Sequence, residues 1–165
     1  ARSMPTSRAL DRVAAERDYE AFETPTGWKF FGNLLDAGRI QLCGEESFGT
    51  SSDHVREKDG LWAVLAWLSV LAERRLSVEA VVRDHWTRHG RDFYVRHDYE
   101  GLSREQGERV LETLRSGLSG LSGTRTRAGL RVSWADEFSY TDPVDGHRVN
   151  GQGIRVGFED GSRIA

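Results

Sequence analysis

One cysteine, Cys43, has no partner for an internal disulfide, so the chain is not a disulfide-stapled secreted scaffold and fits a reducing compartment, the cytoplasm by default. Basic residues number 23 against 26 acidic ones, giving a formal net charge of −3. No broad cationic field is available to track a phosphate backbone, and nucleic acid is not an expected partner. The longest apolar run, Leu61 to Ala72, is broken by Ser69 and falls short of the roughly 20 residues that span a bilayer. The opening Ala1-Arg2-Ser3-Met4 lacks the basic-then-apolar order of a signal peptide, so no membrane partner is expected either. Repeats of solenoid length and coiled-coil heptads are also missing.

What the chain does have is apolar mass. Hydrophobic residues make up 38% and aromatics 10%, with five tryptophans. Disordered chains lack the apolar surface to offset their conformational entropy, so this composition predicts packed structure. At 165 residues it suffices for one ordinary domain or two small ones.

Periodicity gives a coarse layout. Residues 7 to 16 predict a short helix with Leu10, Val13 and Ala14 on one side. Thr24 to Gly27 is a loop: Pro25 drives Thr24 toward extended backbone, and Gly27 admits positive φ. Ile40 to Cys43 reads as a brief buried strand that delivers Gly44 to Gly49 as a loop. A helix is expected from about Val55, capped by Ser52 or Asp53, apolar round most of its circumference and therefore buried, with Arg56 and Lys58 near its start. A second helix follows Ser77 and stops at Gly90. Alternation of Phe93, Val95, His97 and Tyr99 predicts a strand over 91 to 99, with a domain boundary near Gly90. Ser103 and Gln106 have capping-box spacing ahead of Val110, Leu111 and Leu114. Ser116 to Thr126 reads as a loop, and strands are expected over Leu130 to Trp134, Phe138 to Thr141 and Ile154 to Phe158, separated by turns at Asp142-Pro143-Val144-Asp145-Gly146 and Glu159-Asp160-Gly161.

The stretch richest in chemistry is Cys43-Gly44-Glu45-Glu46-Ser47-Phe48-Gly49. Glycines let backbone turn tightly and approach a ligand, while a carboxylate and a hydroxyl two residues apart supply acceptors and a donor for adjacent sugar hydroxyls. The bland alternative for Glu45 is a solvated surface acid, and for Lys58 an exposed lysine. His54 and Arg56 could equally brace their loop. His85 and His89 stand at i and i+4 without the glutamate of a zinc-protease helix, and a satisfied helix face explains them. Cys43 lacks an evident activating base.

Flanking this loop are Thr24-Pro25-Thr26-Gly27-Trp28-Lys29-Phe30-Phe31-Gly32-Asn33-Leu34 and Asp53-His54-Val55-Arg56-Glu57-Lys58-Asp59-Gly60-Leu61-Trp62. Together with Ala1-Arg2-Ser3-Met4-Pro5-Thr6-Ser7, Tyr140 to Gly146 and Asp160-Gly161-Ser162-Arg163-Ile164, these blocks strongly resemble the α-D-phosphohexomutase family. Only about residues 101 to 135 diverge. The resemblance implies an α/β fold: residues 1–90 as the end of the sugar-binding α/β domain, and residues 91–165 as the start of an α+β C-terminal domain, stopping before its phosphate-binding loop. It implies reversible interconversion of α-D-glucose 1-phosphate and glucose 6-phosphate, by phosphoryl transfer from a phosphoserine through glucose 1,6-bisphosphate, with Mg2+.

Residue by residue, the resemblance makes Glu45 and Ser47 the sugar-binding pair, puts Thr26 and Gly27 in the loop that senses sugar orientation, and brings Lys58 to the ligand, with a possible assisting part in catalysis. His54 and Arg56 are weaker candidates. The family's Thr-Ala-Ser-His-Asn-Pro type nucleophile loop and Asp-Gly-Asp-Gly-Asp-Arg metal loop do not occur here. The chain is therefore expected to be a fragment that contacts glucose phosphates without turning them over, and a catalytically silent sugar-phosphate module is the alternative.

Overall fold

The computed structural model describes residues 1–165, which divide into two units, Ala1–Val95 and Arg96–Ala165. The first contains β1 (Arg2–Ser3), α1 (Ala9–Glu16), β2 (Glu23–Thr24), α2 (Trp28–Asp36), β3 (Leu42–Gly44), β4 (Thr50–Ser52), α3 (Gly60–Arg74) and α4 (Val78–His89). Its sheet runs in the order β2-β1-β3-β4. β1 is parallel to both of its neighbours, and β3 pairs antiparallel with β4 with Gly44 opposite Thr50. Parallel strands joined through helices make this an α/β unit.

The core lies beneath α2. Phe30, Phe31, Leu34 and Leu35 recur along one face of that helix and are buried, while Lys29 stays exposed. Phe31, Leu34, Leu35, Ile40 and Cys43 form one apolar cluster, with Phe22 and Trp28 packed against it. Arg2 on β1 is buried too, and its charge is met by Asp11 of α1 and Glu23 of β2, at 2.5 and 2.8 Å. Those pairs pin the first crossover helix to the sheet.

Four expectations need correcting. The strand before the Gly44 loop is Leu42–Gly44, two residues later than predicted. Ile40 and Cys43 still enter the core, but Leu42 points outward, as strand alternation requires. The long helix begins at Gly60, five residues after Val55, because the capping carboxylate is Asp59, whose Oδ1 accepts from the Trp62 N–H at 2.9 Å. Lys58 and Arg56 therefore stand in the preceding loop. This helix is also not enclosed: Leu61 is 71% exposed, and Val64, Leu65 and Leu68 are exposed beside it. Periodicity reports how apolar a helix is, not what covers it.

Residues 91 to 100 carry no regular structure, where alternation predicted a strand. Phe93, Val95 and Tyr99 alternate in sequence, but no strand pairs with them, and all three are exposed. A β pattern without a ladder partner has nothing to satisfy its backbone.

The second unit opens with α5 (Arg104–Gly117), whose capping box is complete: Ser103 Oγ accepts from the Gln106 N–H, and Gln106 Oε1 from the Ser103 N–H. Leu118–Gly120 adds a 3₁₀ turn. β5 (Val132–Glu137), β8 (Ile154–Phe158) and β9 (Arg163–Ile164) form a three-stranded antiparallel sheet, and β6 (Tyr140–Thr141) pairs with β7 (Arg148–Val149) as a hairpin. The Asp142 carboxylate accepts from the Val144 N–H at 2.8 Å within that hairpin's turn.

Candidate functional site

β3 and β4 are joined by residues 45 to 49, closed by a Glu45 N–H bond to the Gly49 carbonyl at 2.9 Å and a Phe48 N–H bond to the Glu45 carbonyl at 3.1 Å. Phe48 takes a left-handed φ of 64° and projects outward, 87% exposed. The loop turns its two acids in different directions. Glu46 accepts from Ser3 Oγ at 3.2 Å and braces the loop against β1. Glu45 turns inward and is only 8% exposed.

A buried carboxylate needs donors. Glu45 Oε1 accepts from the Gly27 backbone N–H at 2.9 Å, and Oε2 meets the Lys58 ammonium at 2.7 Å. Gly27 is the N-cap residue of α2, with φ 126° and no side chain to cap the helix, and the first turn of α2 holds no acid. Glu45 thus supplies from another element the negative charge that a helix N-terminus favours. The left-handed φ is what swings this N–H toward Glu45, and it calls for glycine.

Lys58 reaches in from the loop before α3. Its ammonium also approaches Ser47 Oγ at 3.5 Å and lies 5.8 Å from the centre of the Trp28 ring. Hydrogen bonding to Glu45, with the charge of that carboxylate behind it, holds the amine above the ordinary lysine range. Lys58 is therefore a cation and a donor at neutral pH. Its side chain keeps 42% exposure, so the pair opens to solvent on the lysine side.

Glu45, Ser47, Lys58 and Gly27, which lie up to 31 positions apart in sequence, are thus brought together by direct contacts, with Thr26 exposed next to Gly27. His54 and Arg56 are not. The His54 ring bridges Ser52 Oγ at 2.7 Å and Asp59 Oδ2 at 2.9 Å while stacking on Trp62, which ties the end of β4 to the cap of α3. His54 in turn holds the Asp59 carboxyl below its ordinary value. Arg56 pairs with Asp36 at the end of α2. Both act as braces for the loop that carries Lys58. Sequence reasoning missed Asp59 and Trp28 as supports. An Asp directly ahead of the helical pattern was the available signal for the first, and none was available for the second.

The other candidates behave as structural groups. Cys43 is 3% exposed, and burial pushes its thiol up to about 11, so no thiolate forms at neutral pH. His89 pairs with Glu16 at 2.7 Å. No set of three or more His, Cys, Asp or Glu side chains is gathered to hold a metal ion. A cavity of about 490 Å³ between α3 and α4 is lined mostly by apolar groups such as Trp62, Trp67, Val70 and Val82, and burial holds its titratable lining residue, His85, below the ordinary histidine range. No helix is long and apolar enough to cross a membrane.

An α/β unit that gathers a carboxylate, a hydroxyl and an ammonium on the loops beyond its strands has the makeup of a small-molecule site for polyhydroxylated, anionic ligands. Residues 1–89 match the family model described as phosphoglucomutase/phosphomannomutase, alpha/beta/alpha domain III, and residues 91–165 match that of the phosphoglucomutase-1 C-terminal domain. The chain belongs to the phosphoglucomutase/phosphomannomutase family.

It is 55% identical to human phosphoglucomutase-1, 53% to potato chloroplastic phosphoglucomutase and 56% to phosphoglucomutase of Rhizobium radiobacter, with 99% of this chain aligned each time. It spans less than a third of these relatives, 27% to 30% of their length. Among solved structures, the open form of Paramecium pp63/parafusin superposes with a TM-score of 0.85 at 49% identity, over 98% of this chain and 28% of that one. A putative phosphomannomutase structure from Thermus thermophilus shares the fold at a TM-score of 0.60 and 19% identity, over 96% of this chain and 28% of that one.

Proposed function

We propose that the complete protein is a phosphoglucomutase, interconverting α-D-glucose 1-phosphate and glucose 6-phosphate by phosphoryl transfer from a phosphoserine through glucose 1,6-bisphosphate. The observation that carries this reading is the convergence of Glu45, Ser47 and Lys58 on one loop rim, locked to the N-terminus of α2. In it the phosphoserine and the magnesium ligands belong to parts of the protein outside these 165 residues, and the reaction belongs to the cytosol. Magnesium, when bound, supplies charge neutralisation at the transferring phosphoryl group.

The residues of this chain bind and orient. An ionised carboxylate offers about four acceptor positions, and Glu45 uses one on each oxygen, which leaves acceptor capacity for vicinal sugar hydroxyls that enter from the Lys58 side, where the pair opens to solvent. Ser47 reaches an adjacent oxygen as donor or acceptor. Lys58, with three N–H groups, keeps capacity for a ligand oxygen beyond its contacts to Glu45 and Ser47 and offsets phosphate charge. Because the bisphosphate must turn end for end between half-reactions, its sugar contacts have to accept two related poses. A carboxylate and a hydroxyl do so, since neither demands a unique donor pattern. Thr26, exposed beside Gly27, is the residue that senses hydroxyl orientation and favours glucose.

The test is a coupled assay on the complete protein with glucose 1-phosphate, glucose 1,6-bisphosphate and magnesium. Conversion is expected, and none from the 165-residue piece alone. Binding of glucose phosphates without conversion by the complete protein would leave a sugar-phosphate module and overturn the mutase reading.

A further inference from the structure

Gly49 ends the loop that carries Glu45 and Ser47, and its own backbone gives no reason for glycine. Its φ lies outside the left-handed region, unlike that of Gly27 or Gly146. The space beside it does. A Cβ built on Gly49 would stand 2.6 Å from Lys58 Cδ, 2.7 Å from Cε and 3.1 Å from Cγ, and these are its three nearest neighbours. Carbon atoms in contact sit about 3.5–4.0 Å apart, so the stem of Lys58 lies flat on the bare Cα of Gly49. With the Trp28 ring nearby, that bed aims the ammonium at Glu45 and Ser47.

We propose that Gly49 is a positioning residue for Lys58: the side chain it lacks is what lets the lysine stem cross the loop and bring its ammonium to Glu45 and Ser47. Glycine is commonly retained where backbone must turn or approach a ligand, but here the approaching group is a side chain of the same protein. Alanine at 49 fits the backbone as it stands, so the strain falls on the Lys58 stem. A lysine stem swings aside readily, but the move takes the cation from the buried Glu45 carboxylate and leaves it with the Gly27 N–H, so some stability is lost. What moves with the stem is the charge at the site.

The catalytic consequence rests on the mutase reading, whereas the placement of Lys58 does not, and the experiment separates the two. In the complete protein, Gly49→Ala, Lys58→Ala and the double variant are compared by thermal melting, by the pH dependence of acylation of the Lys58 amine read by mass spectrometry, and by the coupled assay. Gly49→Ala is expected to melt like Lys58→Ala, since both take the cation from the buried Glu45 carboxylate, to make Lys58 more reactive at a given pH as its contact with Glu45 opens, and to lower kcat/KM about tenfold, the loss typical of one charge-assisted contact. On the Lys58→Ala background the same change should cost nothing further, because the group it displaces is gone.

Unchanged Lys58 reactivity in Gly49→Ala, or additive losses in the double variant, would overturn the proposal. Raised reactivity with full activity in both single variants would uphold the placement and remove Lys58 from the proposed chemistry. Should Gly49→Ala fail to fold, recovery of folding in the double variant supports the clash. Failure of both makes glycine a requirement of the turn and ends the proposal.

Discussion

Replacing Glu45 by glutamine separates what this side chain does for the fold from what it does for a ligand. The amide keeps one oxygen, which still accepts from the Gly27 N–H, so the N-terminus of α2 stays capped. Its NH2 group then faces the Lys58 ammonium, donor against donor, and Lys58 swings to solvent. Because that ammonium is already open to water, little stability goes with it. The ligand loses more. Two charge-assisted hydrogen bonds to sugar hydroxyls are exchanged for neutral ones at about 1–1.5 kcal/mol apiece, so kcat/KM for glucose 1-phosphate should fall about 10²-fold in the complete protein. Glu45→Ala should cost stability as well, about 1–3 kcal/mol, because the Gly27 N–H is then left without an acceptor beside a buried gap. Thermal melting and the coupled mutase assay read the two effects independently. The reasoning fails if Glu45→Gln keeps kcat/KM within about twofold of wild type, or if it destabilises as much as Glu45→Ala.

Other consequences follow from the same geometry. Gly27→Ala has room for its Cβ, whose nearest neighbours are Phe30 ring atoms at 3.8 Å, so its penalty is backbone strain at φ 126°. A loss of about 1–3 kcal/mol is expected by urea titration, with weaker glucose-phosphate binding, and an unchanged midpoint would contradict it. Cys43 should resist alkylation at about pH 8 until the protein is unfolded, which timed labelling with iodoacetamide checks. Above about pH 9 the unfolded thiol ionises while the native one holds its proton to about 11. Stability should therefore fall across that window by about 2–3 kcal/mol more than in a Cys43→Ala variant. Ser103→Ala breaks the capping box of α5 and should cost about 1 kcal/mol, with faster amide exchange at Gln106; equal exchange in both proteins would mean the box contributes nothing.

Helices over 9–16, 78–89 and 104–117 were legible because each carries its own start signal or periodic face, and the capping box of Ser103 and Gln106 is a wholly local device. The strand at Ile154–Phe158 was likewise read to the residue. What failed depended on partners. Phe93, Val95 and Tyr99 alternate like a strand yet pair with nothing, and the apolar circumference of α3 does not reveal that Leu61 and Leu65 face solvent. The start of α3 was misplaced because Ser52, Asp53 and Asp59 are all acceptable caps in isolation. Tertiary bonds chose among them: the Asp59 N–H is held by the Thr50 carbonyl, and Ser52 is engaged by His54.

The chain's own order of residues determined its chemistry: a carboxylate, a hydroxyl and an ammonium in glycine-bracketed blocks, the family those blocks resemble, and the helices that carry their own caps. Only the tertiary structure decided that Glu45 caps α2 from across the sheet, that Lys58 rests on Gly49, and that His54 and Arg56 brace the loop. The contacts of Glu45 with Gly27, of Lys58 with Gly49 and of Arg56 with Asp36 join residues 18, 9 and 20 positions apart in sequence. A helix cap or a turn propensity is set by immediate neighbours, whereas the partner of a buried charge is set by whichever donor the fold brings within about 3 Å.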